Sequence, residues 1–314
     1  MKKNKVTGVL DRKIESELKQ YFQPDFLEAL LGKKIISVAV KERDLFASGD
    51  SRLWHCRVVL EGGSEVELYG KYLRQESAKR QADLLTAFAT SGLHCPVVIF
   101  TSPDDSFYIY KAVIGTPLLE KLEVLDADSV AENVFELATL IHKCQTANAY
   151  LRPIDTAIFR SELDKHIVVA RQLILKRQTE LDQSYQAVQS SLDGLVGKTP
   201  IHGDLNPWNI VDQDGQIGII DFSEARLATP ELDFGILLGS LDFIIVTRSE
   251  LRSTITAFKK ALINKLNQSG LKPGLLHAGY ATAIFKHLWV IGSYGLEIEK
   301  GKPLAEDLFG EFNA

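Results

Sequence analysis

The sequence predicts an α+β protein of two lobes, a small β-rich N-terminal lobe with one main helix and a larger, mostly helical C-terminal lobe. Three observations predict it. At 314 residues the chain can bury more than one core. Between residues 35 and 73, three strand-like segments follow one another through short loops of small residues. From residue 129 onward, long stretches carry apolar residues at helical spacing.

Residues 9–31 read as an amphipathic helix, with Leu10, Ile14, Leu18 and Phe22 near the helical period and Pro24 breaking the run. Ile35 to Val40 is a first strand, Phe46 to Arg52 a loop of small residues, and Trp54 to Leu60 a second strand. Glu61-Gly62-Gly63-Ser64 is a hairpin turn, and Glu65 to Leu73 a third strand. Alternation puts Tyr69 and Lys71 on the same face of that strand. Residues 75–91 form a helix striped by Ala78, Ala82, Leu85 and Ala89. Further strands begin near Cys95 and at Phe107 to Tyr110. Ser129 and Glu132 match a capping box opening a helix whose apolar face is Val130, Val134, Leu137, Ile141 and Cys144. Two amphipathic helices are expected over 161–193, and C-terminal helices over about 240–268 and 273–297. Trp289 and Tyr294 read as core or pocket wall, with core the favoured place. Glu297, Glu299, Glu306, Asp307 and Glu311 read as a solvated acidic face.

Composition narrows the function. A net charge of −5 argues against a nucleic-acid surface and is compatible with a cationic small-molecule partner. Cys56, Cys95 and Cys144 are scattered without metal-ligand spacing, as expected of free thiols in a cytoplasmic protein. Met1-Lys2-Lys3-Asn4-Lys5 is basic, but no apolar run follows it, so no signal peptide is expected. No uninterrupted apolar run approaches the ~18 residues of a membrane span.

Residues 201–225 carry the chemistry. Asp204 and Asn209 lie in a segment that cannot be regular helix, because Pro207 disfavours the helical region for Asn206. Asp212 to Gly215 reads as a hairpin turn, and Asp221 closes the apolar strand Ile217 to Ile220. A hairpin can bring Asp204, Asn209 and Asp221 to one edge. One proton acceptor and two oxygen ligands suit phosphoryl transfer with Mg²⁺.

His202-Gly203-Asp204-Leu205 with Asn209 resembles the catalytic loop of kinase-like phosphotransferases, and Ile220-Asp221-Phe222 resembles their metal-binding strand end. Gly203 stands where protein kinases carry Arg, as in the aminoglycoside phosphotransferase and choline kinase group. The resemblance implies a protein-kinase-like bilobal fold with a nucleotide-binding lobe over 1–113, a hinge near 113 and a catalytic lobe over 114–314. It implies Mg²⁺-dependent transfer of the γ-phosphate of ATP or GTP to a hydroxyl of a small molecule: an aminoglycoside, amino alcohol, sugar or related metabolite. On this resemblance Asp204 is the catalytic base, and Asn209 and Asp221 hold the metal. Lys71 pairs with the phosphates and Tyr69 stacks on adenine. The loop Ser48-Gly49-Asp50-Ser51 covers the phosphates, and backbone groups of Lys111, Ala112 and Val113 meet the adenine edge. Asp233 is a buried brace for the catalytic loop, with His202 in support, and His142 and Trp208 pack.

One position departs from the pattern. The family's Glu partner of the lysine is Gln81 here, with Glu76 as the nearby alternative. Gln81 is the feature that points to the rival reading, a nucleotide-binding pseudokinase without turnover. The short segment between Asp221 and Asp233 leaves no room for a protein kinase's activation loop and argues against a protein substrate.

Overall fold

The computed structural model describes residues 19–43, 51–73, 76–124, 126–293 and 298–312. The chain divides into two compact units, Met1–Thr86 with Pro96–Ile114, and Ala87–Cys95 with Gly115–Ala314.

The first unit is built on a sheet of β1 (Ile35–Arg43), β2 (Ser51–Leu60), β3 (Glu65–Leu73), β4 (Val97–Thr101) and β5 (Phe107–Lys111). Its strand order is β1-β2-β3-β5-β4, antiparallel throughout. Alternation along β2 sends Trp54, Cys56, Val58 and Leu60 to one side, where they meet Leu68, Phe107 and Ile109. β3 is therefore interior, and Lys71 does not lie on a sheet edge. The helix expected over 9–31 differs. Residues 9–18 lie outside the described ones, Gln20–Phe22 is a single 3₁₀ turn, and Pro24 starts helix α1 (Pro24–Leu31) rather than ending one. Proline suits the first helical position, where no N–H is needed and its fixed φ is already helical.

The second unit is mostly helical, and Ala87–Thr90, the end of helix α2 (Ala78–Thr90), belongs to it. Its remaining helices are α3 (Leu118–Lys121), α4 (Ala127–Lys143), α5 (Thr156–Leu173), α6 (Gln178–Ser191), α7 (Pro230–Thr247), α8 (Arg252–Gln268), α9 (Pro273–Ser293) and α10 (Ile298–Phe312). Two small sheets complete it. β6 (Thr116–Pro117) pairs with β8 (Ile210–Gln213), which pairs with β9 (Gln216–Ile219), and β7 (Thr199–Ile201) pairs with β10 (Arg226–Ala228). The core lies where α5, α7 and α9 meet, around Leu163, Ile167, Leu232, Ile284, Phe285 and Leu288.

Several boundaries move from those expected. The cap of α4 is Asp126, whose carboxylate accepts the N–H of Ser129 at 2.8 Å, so Ser129 lies inside the first turn. The helix expected to begin near 240 begins at Pro230, directly after β10, and a break at Arg248 separates it from α8. The acidic tail is not simply solvated. Glu306 accepts the backbone N–H groups of Leu175 and Lys176 at 2.9 and 3.1 Å, and Glu311 pairs with Arg252 at 2.6 Å. Tyr294 and Glu297 lie outside the described residues. Cys56, Cys95 and Cys144 are buried free thiols, and burial pushes Cys56 and Cys95 up to about 12.

Candidate active site

β7 ends at Ile201, and the chain then turns sharply through His202, Gly203 and Asp204. Gly203 makes the turn possible. Its φ is +80°, and a Cβ there would lie 2.1 Å from the carbonyl oxygen of Glu224. Only glycine meets both demands cheaply. The Arg of protein kinases cannot be accommodated at this turn.

Asp233, fully buried in the first turn of α7, holds the loop from beneath. Its carboxylate accepts the backbone N–H of His202 at 2.8 Å, the N–H of Gly203 at 2.7 Å, and His142 Nε2 at 3.0 Å. Burial alone would raise its pKa, but the hydrogen bond and charge of His142, with His202 behind them, carry it below the usual carboxylate range. The positive end of α7 acts in the same direction. His142 is thus the partner of a buried carboxylate, and His202 spans the loop with Nε2 at 3.0 Å from the carbonyl of Ile220.

Asp204 and Asn209 face each other. Asn209 Nδ2 donates to the Asp204 carbonyl at 2.9 Å and to its Oδ2 at 3.2 Å. Asn206, just before Pro207, closes the turn by accepting the N–H groups of Trp208 and Asn209 at 3.0 and 3.1 Å. Asp221 is tied to this loop through the backbone, since the N–H of Ile220 reaches the carbonyl of Asn209 at 2.9 Å. Asp221 itself adopts a left-handed conformation, φ 62° and ψ 73°, uncommon for a non-glycine residue. That strain re-aims the chain directly after β9. Among the described residues no three His, Cys, Asp or Glu side chains cluster as a metal site. An Asn–Asp pair still fits Mg²⁺, which takes few protein ligands and completes its shell with phosphates and water. Asn209 spends its amide nitrogen on Asp204, so its Oδ1 is the atom left for a hard cation.

A cavity of about 440 Å³ opens beside Asp204, entirely within the second unit. Phe159, Trp208 and Trp289 supply aromatic wall, and Glu162, Glu224, Lys165, Arg226 and Lys286 supply charge. Trp289, for which the sequence left core or pocket wall open and favoured core, is wall, with His166 against it at 5.3 Å between ring centroids. Lys286 Nζ donates to Asp204 Oδ1 at 2.8 Å. Sequence reasoning missed this residue. The available signal was Lys286 as the one Lys, Arg, Asp or Glu in the largely apolar stretch 276–292.

The remaining predicted residues belong to the first unit. Tyr69 and Lys71 share one face of β3, as alternation requires, with Tyr110 and Tyr108 opposite them in register. Tyr69 and Tyr110 stack at 5.7 Å. Gln81 accepts the Tyr108 hydroxyl at 3.2 Å and donates to Glu76 at 2.7 Å, so the two candidate partners of Lys71 are bonded to each other. Lys111 ends β5, Val113 follows it, and Ala112 spends its N–H on the carbonyl of Glu67 at 3.0 Å. Ser48, Gly49 and Asp50 lie outside the described residues, and Ser51 is the first residue of β2.

A family model described as "Phosphotransferase enzyme family" (APH) matches residues 69–265, well over half of the chain. Among curated proteins none matches the chain significantly. Among solved structures, the amicoumacin kinase hAmiN in complex with AMP-PNP, Ca²⁺ and Ami is 15% identical, over 95% of this chain and 96% of that one, at a TM-score of 0.56. A glucosamine kinase in complex with glucosamine, ADP and inorganic phosphate is 16% identical, over 92% of this chain and 87% of that one, at 0.54. A macrolide 2′-phosphotransferase type I is 15% identical, over 93% and 96%, also at 0.54. At such identities the likeness shows the α+β kinase-like fold. Among the described residues no helix is long and apolar enough to cross a membrane. With the family model spanning both Lys71 and the loop from His202 to Asp221, the chain belongs to the APH phosphotransferase family of small-molecule kinases.

Proposed function

We propose that this protein transfers the γ-phosphate of ATP or GTP to a hydroxyl of a small molecule held in the cavity beside Asp204. The observation that carries the reading is the placement of Asp204 on the cavity wall, on a loop braced by buried Asp233. Phosphoryl transfer requires positioning and charge neutralisation more than covalent participation by the protein. Asp204 hydrogen-bonds the acceptor hydroxyl, aims its oxygen at the γ-phosphorus and takes its proton as the new O–P bond forms. The bond from the γ-phosphorus to the departing diphosphate breaks, and its electron pair leaves with that diphosphate.

Asp221 and Asn209 are the residues for Mg²⁺, which when bound offsets the charge of the triphosphate. Lys71 takes the α/β-phosphates, Tyr69 the adenine face, Lys111 to Val113 the adenine edge, and Ser48 to Ser51 the phosphates. In this reading residues 1–113 are the nucleotide lobe and 114–314 the catalytic lobe. Gln81, bonded to Glu76 and to Tyr108, supports the strand beside Lys71, since Tyr108 is the cross-strand neighbour of that lysine.

Replacing Asp204 tests the assignment. Asp204→Ala is expected to lower kcat by ~10²–10⁴-fold while leaving nucleotide binding in place. ADP release measured across hydroxylated amines, sugars and antibiotics reads it; an unchanged kcat on an accepted substrate rejects the base role. The rival reading is a nucleotide-binding module without turnover, favoured by Gln81 in place of an acidic partner. Labelled ATP with Mg²⁺ and that panel separates the two, since the rival binds nucleotide and labels no acceptor.

A further inference from the structure

The cavity beside Asp204 contains a cation that the roles above leave unused. Lys286 sits on the face of α9 formed by Thr282, Ala283, Lys286 and Trp289, residues at helical spacing that all line the cavity. Its ammonium lies 2.8 Å from Asp204 Oδ1, and the lysine side chain is 47% exposed. A second pairing stands nearby: Arg226 donates to the carbonyl of Glu224 at 2.8 Å and to its carboxylate. So two of the cavity's acids, Asp204 and Glu224, are already matched by the protein's own cations. Lys165 lies on the same wall as the remaining acid, Glu162.

A polycationic acceptor needs carboxylates with charge to spare, and it must approach Asp204 beside an ammonium. Because Lys286 offsets the charge of Asp204, a cation meeting this closed pair finds no net attraction there. A neutral polyol depends on no such attraction. It can lay its apolar ring face on Trp208 and Trp289 and offer hydroxyls to Asp204 and Lys286. An acidic group gains from Lys165, and from Lys286 when it displaces the contact with Asp204. The field of Lys286 already reaches the imidazoles of His166 and His287. With burial as the larger cause, they are lowered to about 4 and about 3, so neither imidazole adds charge to the cavity at neutral pH.

We propose that Lys286 determines acceptor specificity, admitting neutral or anionic polyhydroxy compounds and turning away polycations; this rests on the kinase reading above. The test uses the full chain and scaffolds that differ at one group: glucose, glucosamine and glucuronate, with kanamycin as a polycation. Binding is read from tryptophan quenching and turnover from ADP release with Mg²⁺-ATP. In the wild type, the neutral and acidic members are expected to bind at least ten-fold more tightly than the amine. Lys286→Gln should bring that ratio towards one, and Lys286→Arg should keep it. Tighter binding of glucosamine or kanamycin by the wild type overturns the proposal. So does a ratio that Lys286→Gln leaves unmoved, or equal or absent binding across the panel. Charge discrimination in binding without ADP release from any acceptor sinks the kinase reading and leaves Lys286's selectivity standing.

Discussion

Gly203 and Asp233 bear on the loop from opposite sides, and each has a distinct failure. A methyl group at Gly203 must occupy a left-handed conformation and displace the carbonyl of Glu224, which it would meet at 2.1 Å. Gly203→Ala is therefore expected to cost ~2 kcal/mol or more in urea denaturation and to reduce turnover, because the strained turn carries Asp204. Asp233 fails differently. Asp233→Ala strands two buried N–H groups and His142, a loss of ~3–5 kcal/mol, whereas Asp233→Asn keeps one acceptor and should lose less. Equal midpoints for the two variants would contradict the brace. At this scale the sequence was most legible where the constraint is local. The turn that holds Asp204 and Asn209 and the strand end before Asp221 were readable because a proline, a hairpin and a strand end leave few conformations for one short segment. Lys286 was not, because its partner lies 82 positions away.

At the scale of elements, the site depends on how closely α9 lies against α7. Small residues permit it. A Cβ on Gly235 of α7 would stand 2.4 Å from the backbone nitrogen of Tyr280, and one on Gly279 of α9 would stand 3.0 Å from the carbonyl of Glu231. Gly235→Val should therefore force the two helices apart, costing ~1–3 kcal/mol by overpacking. Because α9 carries Lys286 and Trp289 to the cavity wall, the same variant should raise KM for the acceptor more than KM for nucleotide. Steady-state kinetics with each substrate varied in turn reads the difference. The element boundaries that sequence reasoning misplaced have separate causes. α7 is buried on almost every side, so its apolar pattern carries no stripe from which to read a start. At Pro24 the same residue type that ends helices served to begin one.

For the whole molecule, the histidines set a pH response. Burial lowers His94, His166, His277 and His287 from 6.5, with His166 at about 4 and His287 at about 3. Above 6.5 these imidazoles are neutral both folded and unfolded, and they leave stability unchanged. Below it the unfolded chain takes up protons that the folded chain refuses, so stability falls as the pH drops from 6.5 towards 4. Asp233 adds to this in more acid solution, since a carboxylate held low loses its contribution as it protonates. Urea midpoints should be level between about pH 8 and 6.5 and decline below that. His287→Gln should make the decline shallower, and an unchanged slope would show that His287 is not one of the groups responsible.

The amino-acid sequence by itself determined the α+β class, the succession of strands in the small lobe, the Asp204-to-Asn209 spacing and the family. Each is written in neighbouring residues, through alternation, turn chemistry and a short motif whose conformational freedom is already restricted. The charge and walls of the cavity beside Asp204 were decided only by tertiary structure. They come from α5, the loop after β7 and α9, segments remote in the chain, and packing around the apolar core is what sets their side chains against one another.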